Sequence, residues 1–543
     1  MKKKGIILLT LAIIIAAALG IFSQYIPKAK NSNDTGFSAE RAKEHIKTIA
    51  KEPHSIYNQE ALGKVREYIL QELKEIGLDP EVFTYENVKD RNGDLQTINN
   101  IYAKIDGKKG EDGSYILLAS HYDSSPKKRS GEDNNSHGAA DAGYGVSTIL
   151  EILRNIKESG SLLENGIKIL ITDGEEMGLL GAKEEMNKNF SNYENVSFVV
   201  NMEARGIKGP ALMFETGENN EKVIELYKNA KLPVSYSLAA DIYRKMPNGT
   251  DFTEFIKKGI NGTNFAVLNN LDYYHTNSDI YENINERSIQ HYGEQVLPMV
   301  EEFVYSEKYS DIDYFKADQD RIFFTILPNV FINYSTTIAI IASIVAVIVL
   351  AIIIKNSRIS IKNLLKWTGI WIGLGIGALV IGLAISYIIS IFTKVKFSLT
   401  YMPNIVGDNI ITLIVVAVLI VISTIVAKHL VREKDDKDAM ILGGLLFNTI
   451  LMTVFMVVLP GGSYLFLWPI ALVIISILLK GRIPGNNGKY ILLVPLIFTV
   501  TMYIPVIFNI YTALTIGSLG ITLLLTLIAI SIIIPLGNYI LSE

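Results

Sequence analysis

Tyr115-Ile116-Leu117-Leu118-Ala119 is an unbroken apolar run, and just beyond it stand His121-Tyr122-Asp123, side chains able to bind metals and move protons. Three further runs rich in Ile and Val repeat the arrangement. Residues 167–172 lead into Asp173-Gly174-Glu175-Glu176, residues 196–200 into Asn201-Met202-Glu203, and residues 263–268 are followed by Tyr273-Tyr274-His275-Thr276. Continuous rather than alternating apolarity marks strands buried on both faces, the habit of parallel sheets. Helix-length segments at 146–159 and 178–188 separate the runs, and a helix at about 285–304 closes the region. Upstream, Ser38 caps a helical pattern to about Lys51, a second pattern runs over 58–76 and stops at Gly77, and shorter β-rich runs cover 82–85 and 98–105. This alternation predicts an α/β fold, a largely parallel central sheet flanked by helices. Ligands of such sheets bind beyond the carboxyl ends of the strands, where these acids and imidazoles gather.

The chain has 543 residues, 49% of them apolar, and no cysteine. It is too long for one compact domain and too apolar for disorder. The missing cysteines exclude disulfides, thiol nucleophiles, Cys-ligated zinc and iron–sulfur clusters, so a metal site must be built from His, Asp and Glu. The net charge of -4 hides a division near Ile322: 38 basic and 49 acidic residues up to it, 13 basic and 6 acidic beyond it. An acidic first part with no basic patch interleaved with aromatics makes nucleic acid an unexpected partner.

The residues at the strand ends suit a pair of divalent metals sharing one carboxylate. His121 and Glu203 can serve one metal and His275 and Glu176 the other, with Asp141 of the loop Gly138-Ala139-Ala140-Asp141 between them. Imidazole ligands favour zinc, with cobalt or manganese next, over magnesium or calcium. Glu175 is then left as a general base, able to take a proton from an attacking water and pass it to a leaving amine. Asp123 is placed to hold the second nitrogen of His121, and Tyr274 to donate its hydroxyl to a developing oxyanion. Each fragment alone describes an ordinary solvated surface. Five ligand-type positions following four strands in order do not.

His121-Tyr122-Asp123, Gly138-Ala139-Ala140-Asp141, the Gly174-Glu175-Glu176-x-Gly178-Leu179-Leu180-Gly181-Ala182 segment and Tyr274-His275-Thr276-x-x-Asp279 resemble the motifs of the co-catalytic zinc exopeptidases, peptidase family twenty-eight of the metallopeptidases. The multi-pass branch of that family, which includes vacuolar membrane proteases and endoplasmic-reticulum metallopeptidases, also shares the Asn201-x-Glu203 pattern and the Thr250-Asp251-Phe252 segment. The resemblance covers roughly residues 45–305. It implies two zinc ions per chain, one held by His121, Asp141 and Glu203 and the other by Asp141, Glu176 and His275, with Glu175 as base. It also implies a hydrolase of peptide bonds, expected to be an aminopeptidase. The alternatives are a carboxypeptidase of the same family and a catalytically silent binding ectodomain. Two positions depart from the pattern: Ala142, where an acid or amide is usual, and Tyr144, where soluble relatives carry Ser.

Beyond Ser335 the sequence falls into apolar runs at 336–354, 367–393, 409–427, 439–459 and 464–479, and a block at 490–534 long enough for two spans turning near 509–512. Residues 5–22 form one more, whose length favours a retained anchor over cleavage at Ala16-Ala17-Ala18. The expected organisation is an anchor at 1–22, a peptidase domain at 37–305, a connector at 306–335 and a seven-helix transmembrane domain at 336–536, with a lipid bilayer and a peptide as partners. One set of loops carries fourteen cations: Lys2, Lys3, Lys4, Lys355, Arg358, Lys362, Lys366, Lys428, Arg432, Lys434, Lys437, Lys480, Arg482 and Lys489. The other carries Lys394 and Lys396 alone. That contrast puts both termini in the cytoplasm and the peptidase domain outside it, at the cell membrane. The spans hold no charged residue, which disfavours an ion-coupled transporter. Among the remaining candidates, His137 is expected in solvent, and His45, His54, His291 and His429 at surface positions. Asp251 is expected as a helix cap, and Arg205 either binds a substrate carboxylate or forms an ion pair.

Overall fold

A computed structural model describes residues 2–128, 131–402, 405–431, 434–482 and 485–542; Met1 of the expected anchor and Arg432 of the loop cations lie outside the described residues. The chain divides into two units, Tyr25–Asn333 and Met1–Gln24 with Tyr334–Glu543.

The first unit is built on a seven-stranded sheet: β1 (Glu81–Lys89), β2 (Leu95–Ile105), β3 (Tyr115–His121), β4 (Gly166–Thr172), β5 (Val196–Ala204), β6 (Leu212–Thr216) and β7 (Gly262–Val267). Their order is β1-β2-β4-β3-β5-β7-β6. The four apolar runs of the sequence are β4, β3, β5 and β7, which pair in parallel, and β1–β2 and β6 complete the sheet antiparallel at its two sides. Every residue of those four strands is buried, as their unbroken apolarity requires. Helices cover the sheet, and three start where their caps are written: Ser38, Asn58 and Asn285 accept from the backbone N–H groups of Arg41, Ala61 and Ser288.

Several elements are additional to those expected. Strand β6, the helices Glu221–Tyr227 and Ser237–Lys245, and a hairpin of β8 (Arg321–Leu327) and β9 (Val330–Ser335) were not apparent from the hydrophobic pattern, whereas the helix Asp251–Lys257 stands where Asp251 was expected to begin one. The hairpin falls within the stretch read as a connector, and Ser237 Oγ bonds to its Phe323 backbone.

The second unit consists of helices Lys2–Phe22, Thr336–Asn356, Ile361–Thr393, Asp408–Leu430, Lys434–Val458, Tyr464–Lys480, Leu493–Leu514 and Leu519–Leu541. Among the described residues, eight helices are long and apolar enough to cross a membrane. The last is the hub, with 78% of its apolar window buried within the unit against 17–22% for the first four. The turn between the final two helices lies at 515–518, not at 509–512 as the polar residues there suggested. Asn509 and Thr512 continue the helix, and the chain reverses at Thr515, whose φ is 57° and whose hydroxyl both donates to Met402 O at 2.8 Å and accepts from Met402 N–H at 2.9 Å. Asn448 serves helix packing, donating to Gly444 O at 2.9 Å and Ser531 Oγ at 2.8 Å.

Candidate metal centre

His121 is the last residue of β3, Glu203 the penultimate residue of β5, and Glu175 and Glu176 lie in the turn after β4. Asp141 stands two residues before the helix Gly143–Glu158, and His275 follows a short turn beyond β7. The parallel sheet therefore delivers all of them to one edge. His121 Nε2 lies 3.3 Å from Asp141 Oδ1 and 3.4 Å from Glu203 Oε2. His275 Nε2 lies 3.1 Å from Asp141 Oδ2 and 2.9 Å from Glu176 Oε1. Each oxygen of Asp141 thus faces a different imidazole, and two triads, His121–Asp141–Glu203 and Asp141–Glu176–His275, share it.

Hydrogen bonding joins His121 Nε2 to Asp141 Oδ1 at 3.3 Å but leaves the second triad unused. Asp141 Oδ2, Glu176 Oε1 and His275 Nε2 are buried without a hydrogen-bond partner, close to one another yet misdirected for donation. Buried polar atoms are rarely left so. Two ligands on a tetrahedral zinc, each about 2.0–2.1 Å from it, stand about 3.3 Å apart. The separations of 2.9–3.4 Å match those within such a ligand set, so the residues present fit two such ions.

The charges agree. Burial opposes a charged His121, but Asp123, Asp141 and Glu203 overcome it and raise its pKa well above the ordinary value. His275, buried beside Glu176 and Asp141, is likewise raised to about 9. Burial also works against the Asp141 carboxylate, and the two imidazoles hold it well below the usual range. Burial lifts Glu175 well above a normal carboxylate, with His121 opposing and Glu203, Glu176 and Asp251 adding to the rise. Glu175 can approach both His121 and Glu176 within the same cluster.

Asp123 is close to its expected place but acts on more than His121. Its backbone carbonyl lies 3.0 Å from His121 Nδ1 and its carboxylate 3.4 Å from the same nitrogen. That carboxylate accepts the backbone N–H of Glu175 at 3.0 Å and of Glu176 at 3.3 Å. The acid after β3 thereby fixes the turn after β4. Gly181 of the same motif has a packing reason: a Cβ there would stand 2.3 Å from Asn100 Oδ1 and 2.6 Å from Asp173 O. Tyr274 stacks its ring on His275, with centroids 3.7 Å apart. At the departing position Tyr144, the hydroxyl donates to Ile207 O at 2.8 Å and accepts from Asn285 N–H at 2.7 Å.

Two contributors were assigned no task by the sequence reading, although Asp279 stands in one of its motifs. Asp279, fully buried, accepts the backbone N–H of Ala140 at 2.8 Å and of Asp141 at 3.3 Å, clamping the residue the two triads share. Asn134 donates to His275 O at 2.8 Å, holding a residue whose φ is 55°. Asp279 was marked by its motif place four residues after His275, without a role; Asn134 lies in a polar loop with no pattern to mark it.

Other expectations need correcting. Asp251 is not a cap: Thr250 is, in a capping box with Thr253, and the buried Asp251 carboxylate accepts from Thr172 Oγ1. His54 and His291 are buried rather than on the surface. His291 Nδ1 accepts the Ala211 N–H at 3.1 Å, which a neutral imidazole can do and burial enforces. His137 is half-buried, with Nδ1 3.0 Å from Ala50 O, whereas His429 is exposed as expected.

Residues 100–300 match the profile of Peptidase family M28. The chain is 27% identical over 245 residues to endoplasmic reticulum metallopeptidase 1 of Homo sapiens, covering 44% of this chain and 26% of that protein. It is 26% identical over 261 residues to the vacuolar membrane protease of Lodderomyces elongisporus, covering 45% and 26%. The chain spans 26–36% of the length of the first curated relatives it matches. Solved structures similar to it include a Porphyromonas gingivalis glutaminyl cyclase (20% identical, TM-score 0.41, 50% of this chain and 99% of that one). A Zn-dependent exopeptidase from Parabacteroides distasonis is also similar (20%, TM-score 0.40, 49% and 98%).

Proposed function

Starting from a Peptidase family M28 domain at residues 100–300, we propose that this chain is a membrane-bound zinc peptidase with two zinc ions per chain, an aminopeptidase whose peptidase unit lies outside the cytoplasm at the cell membrane. The observation that carries the reading is the pair of triads meeting at Asp141, with buried donor atoms that hydrogen bonding leaves unused. His121, Asp141 and Glu203 would hold one zinc, and Asp141, Glu176 and His275 the other. When bound, the two ions supply Lewis-acid polarisation of the scissile carbonyl and make the attacking water more acidic.

The chain's own groups do the rest. Glu175, whose basicity burial increases, accepts a proton on its carboxylate from the water whose oxygen bonds to the carbonyl carbon. As the C–N bond breaks, the same carboxyl returns that proton to the leaving nitrogen. Tyr274, stacked on His275, offers its hydroxyl to the oxyanion that forms between these steps. Asp123 keeps Glu175 and Glu176 in position through their backbone N–H groups. The extracytoplasmic placement rests on the loop cations. Incubating the zinc-loaded protein with a mixed peptide library and reading the products by mass spectrometry tests the polarity. Loss of amino-terminal residues is expected; loss from the carboxyl end would replace this reading with the carboxypeptidase one.

A further inference from the structure

We infer that Asn201 is a positioning residue that decides which oxygen of Glu203 faces the metal centre, and that Asn264 and Glu215 decide the orientation of Asn201. The inference rests on the two-metal reading above. It starts from strand register: Asn201 of β5 is paired with Asn264 of β7, and Asn264 with Glu215 of β6. Glu203, two residues beyond Asn201 on β5, projects to the same face. The four side chains form a continuous row at exposures of 0% (Asn201), 0% (Asn264), 6% (Glu203) and 5% (Glu215), so water does not compete for their bonds.

The bonds run in one direction. Asn264 Nδ2 donates to Glu215 Oε2 at 2.8 Å and to Thr250 Oγ1 at 2.8 Å, which turns its carbonyl oxygen toward β5. Asn201 Nδ2 donates to that oxygen at 3.0 Å and to Glu203 Oε1 at 2.9 Å. Glu203 Oε1 is thereby occupied, and Oε2 is the oxygen that faces His121 Nε2 at 3.4 Å. Reversing either amide sets acceptor against acceptor. A flipped Asn201 would turn its oxygen to Glu203 Oε1 and Asn264 Oδ1, and a flipped Asn264 would turn its oxygen to the Glu215 carboxylate. Buried groups bear such mispairing poorly, so the carboxylate at β6 fixes the polarity of the whole row. Strand β6 thus acts on a ligand two strands away.

The test measures zinc affinity of the full chain in detergent by competition with a chromophoric chelator. Two backgrounds separate the sites: His275→Ala leaves the His121–Asp141–Glu203 set intact, and His121→Ala leaves the Asp141–Glu176–His275 set. Asn201→Asp keeps the shape, removes both donors and puts a like charge beside Glu203. It should weaken zinc about 10–100-fold in the His275→Ala background, the usual effect of losing a partner that orients a ligand. In the His121→Ala background it should leave affinity within about 3-fold. Glu215→Gln should show a smaller loss in the first background only. Unchanged affinity in both backgrounds, or equal weakening in both, overturns the inference. If melting of the metal-free protein shows that Asn201→Asp does not fold, Glu215→Gln decides: a loss confined to the first background supports the relay and no loss overturns it. A wild-type chain that takes up no zinc would defeat the two-metal reading itself and the relay with it, whereas two zincs in wild type with a silent Asn201→Asp would defeat the relay alone.

Discussion

Replacing Asp123 by Asn should loosen both the fold and the metal centre, and the two effects can be sized. The carboxylate is 1% exposed and accepts two backbone N–H groups, from Glu175 at 3.0 Å and Glu176 at 3.3 Å. An amide offers one oxygen, so one N–H keeps its partner and the other meets an NH2 group. Hydrogen bonds to a charged acceptor contribute about 1.5–3 kcal/mol, and an orphaned buried donor costs about 1–3 kcal/mol. A net loss of about 2–3 kcal/mol follows, a large share of the roughly 5–15 kcal/mol that holds a domain folded. At about 2–4 °C per kcal/mol, Tm of the peptidase unit should fall by roughly 4–12 °C. The same turn carries Glu176, so zinc affinity should drop about 10–100-fold. Intrinsic-fluorescence melting and chelator competition on the full chain read the two effects. A Tm within about 1 °C of wild type with zinc binding unchanged would refute the claim that Asp123 organises the Glu175–Glu176 turn.

Three other perturbations have defined outcomes. His291 is neutral in the fold, its pKa lowered by burial to about 3, while an unfolded histidine titrates near about 6.5. The unfolded state therefore binds the extra proton between those values, so stability is lost as pH falls from about 6.5 toward 3; His291→Gln should flatten the acid limb of a Tm–pH curve, and an identical limb would contradict this. Gly181→Ala should destabilise the peptidase unit by about 1–3 kcal/mol, because its Cβ would stand 2.3 Å from Asn100 Oδ1, and a melt like wild type would count against that contact. Gly382→Val should loosen the helical unit while leaving zinc binding intact, since a Cβ at 382 would stand 2.5 Å from Gly520 Cα; unaltered protease resistance of the helices would contradict the packing.

The parts of the fold that were legible in the sequence are those where one physical demand dominates. Strands β3, β4, β5 and β7 are buried on both faces and therefore built around apolar runs, and the α/β class followed from them. The five residues whose donor atoms converge were legible because a parallel sheet sends its strand ends to one edge. What escaped depends on tertiary pairing. Strand β6 carries the buried Glu215, whose partner Asn264 lies on another strand, so its pattern does not read as apolar. His291 occupies the inward side of its helix because Ala211 and Gln295 meet it there. Asp251 looks like a cap by residue type, yet Thr250 and Thr253 form the box and leave the acid free to face Thr172. The turn at 515–518 depends on Met402, more than a hundred residues away in the chain, and no local signal announces it.

The most direct test of the two-metal peptidase is to count zinc per chain in the purified full-length protein and in Glu175→Gln, and to measure peptide hydrolysis by both. Two zinc ions are expected in each, with hydrolysis lowered about 10²–10⁴-fold or more in the variant, the contribution of a general base. Zinc near zero in the wild type, or a variant as active as the wild type, would contradict the account.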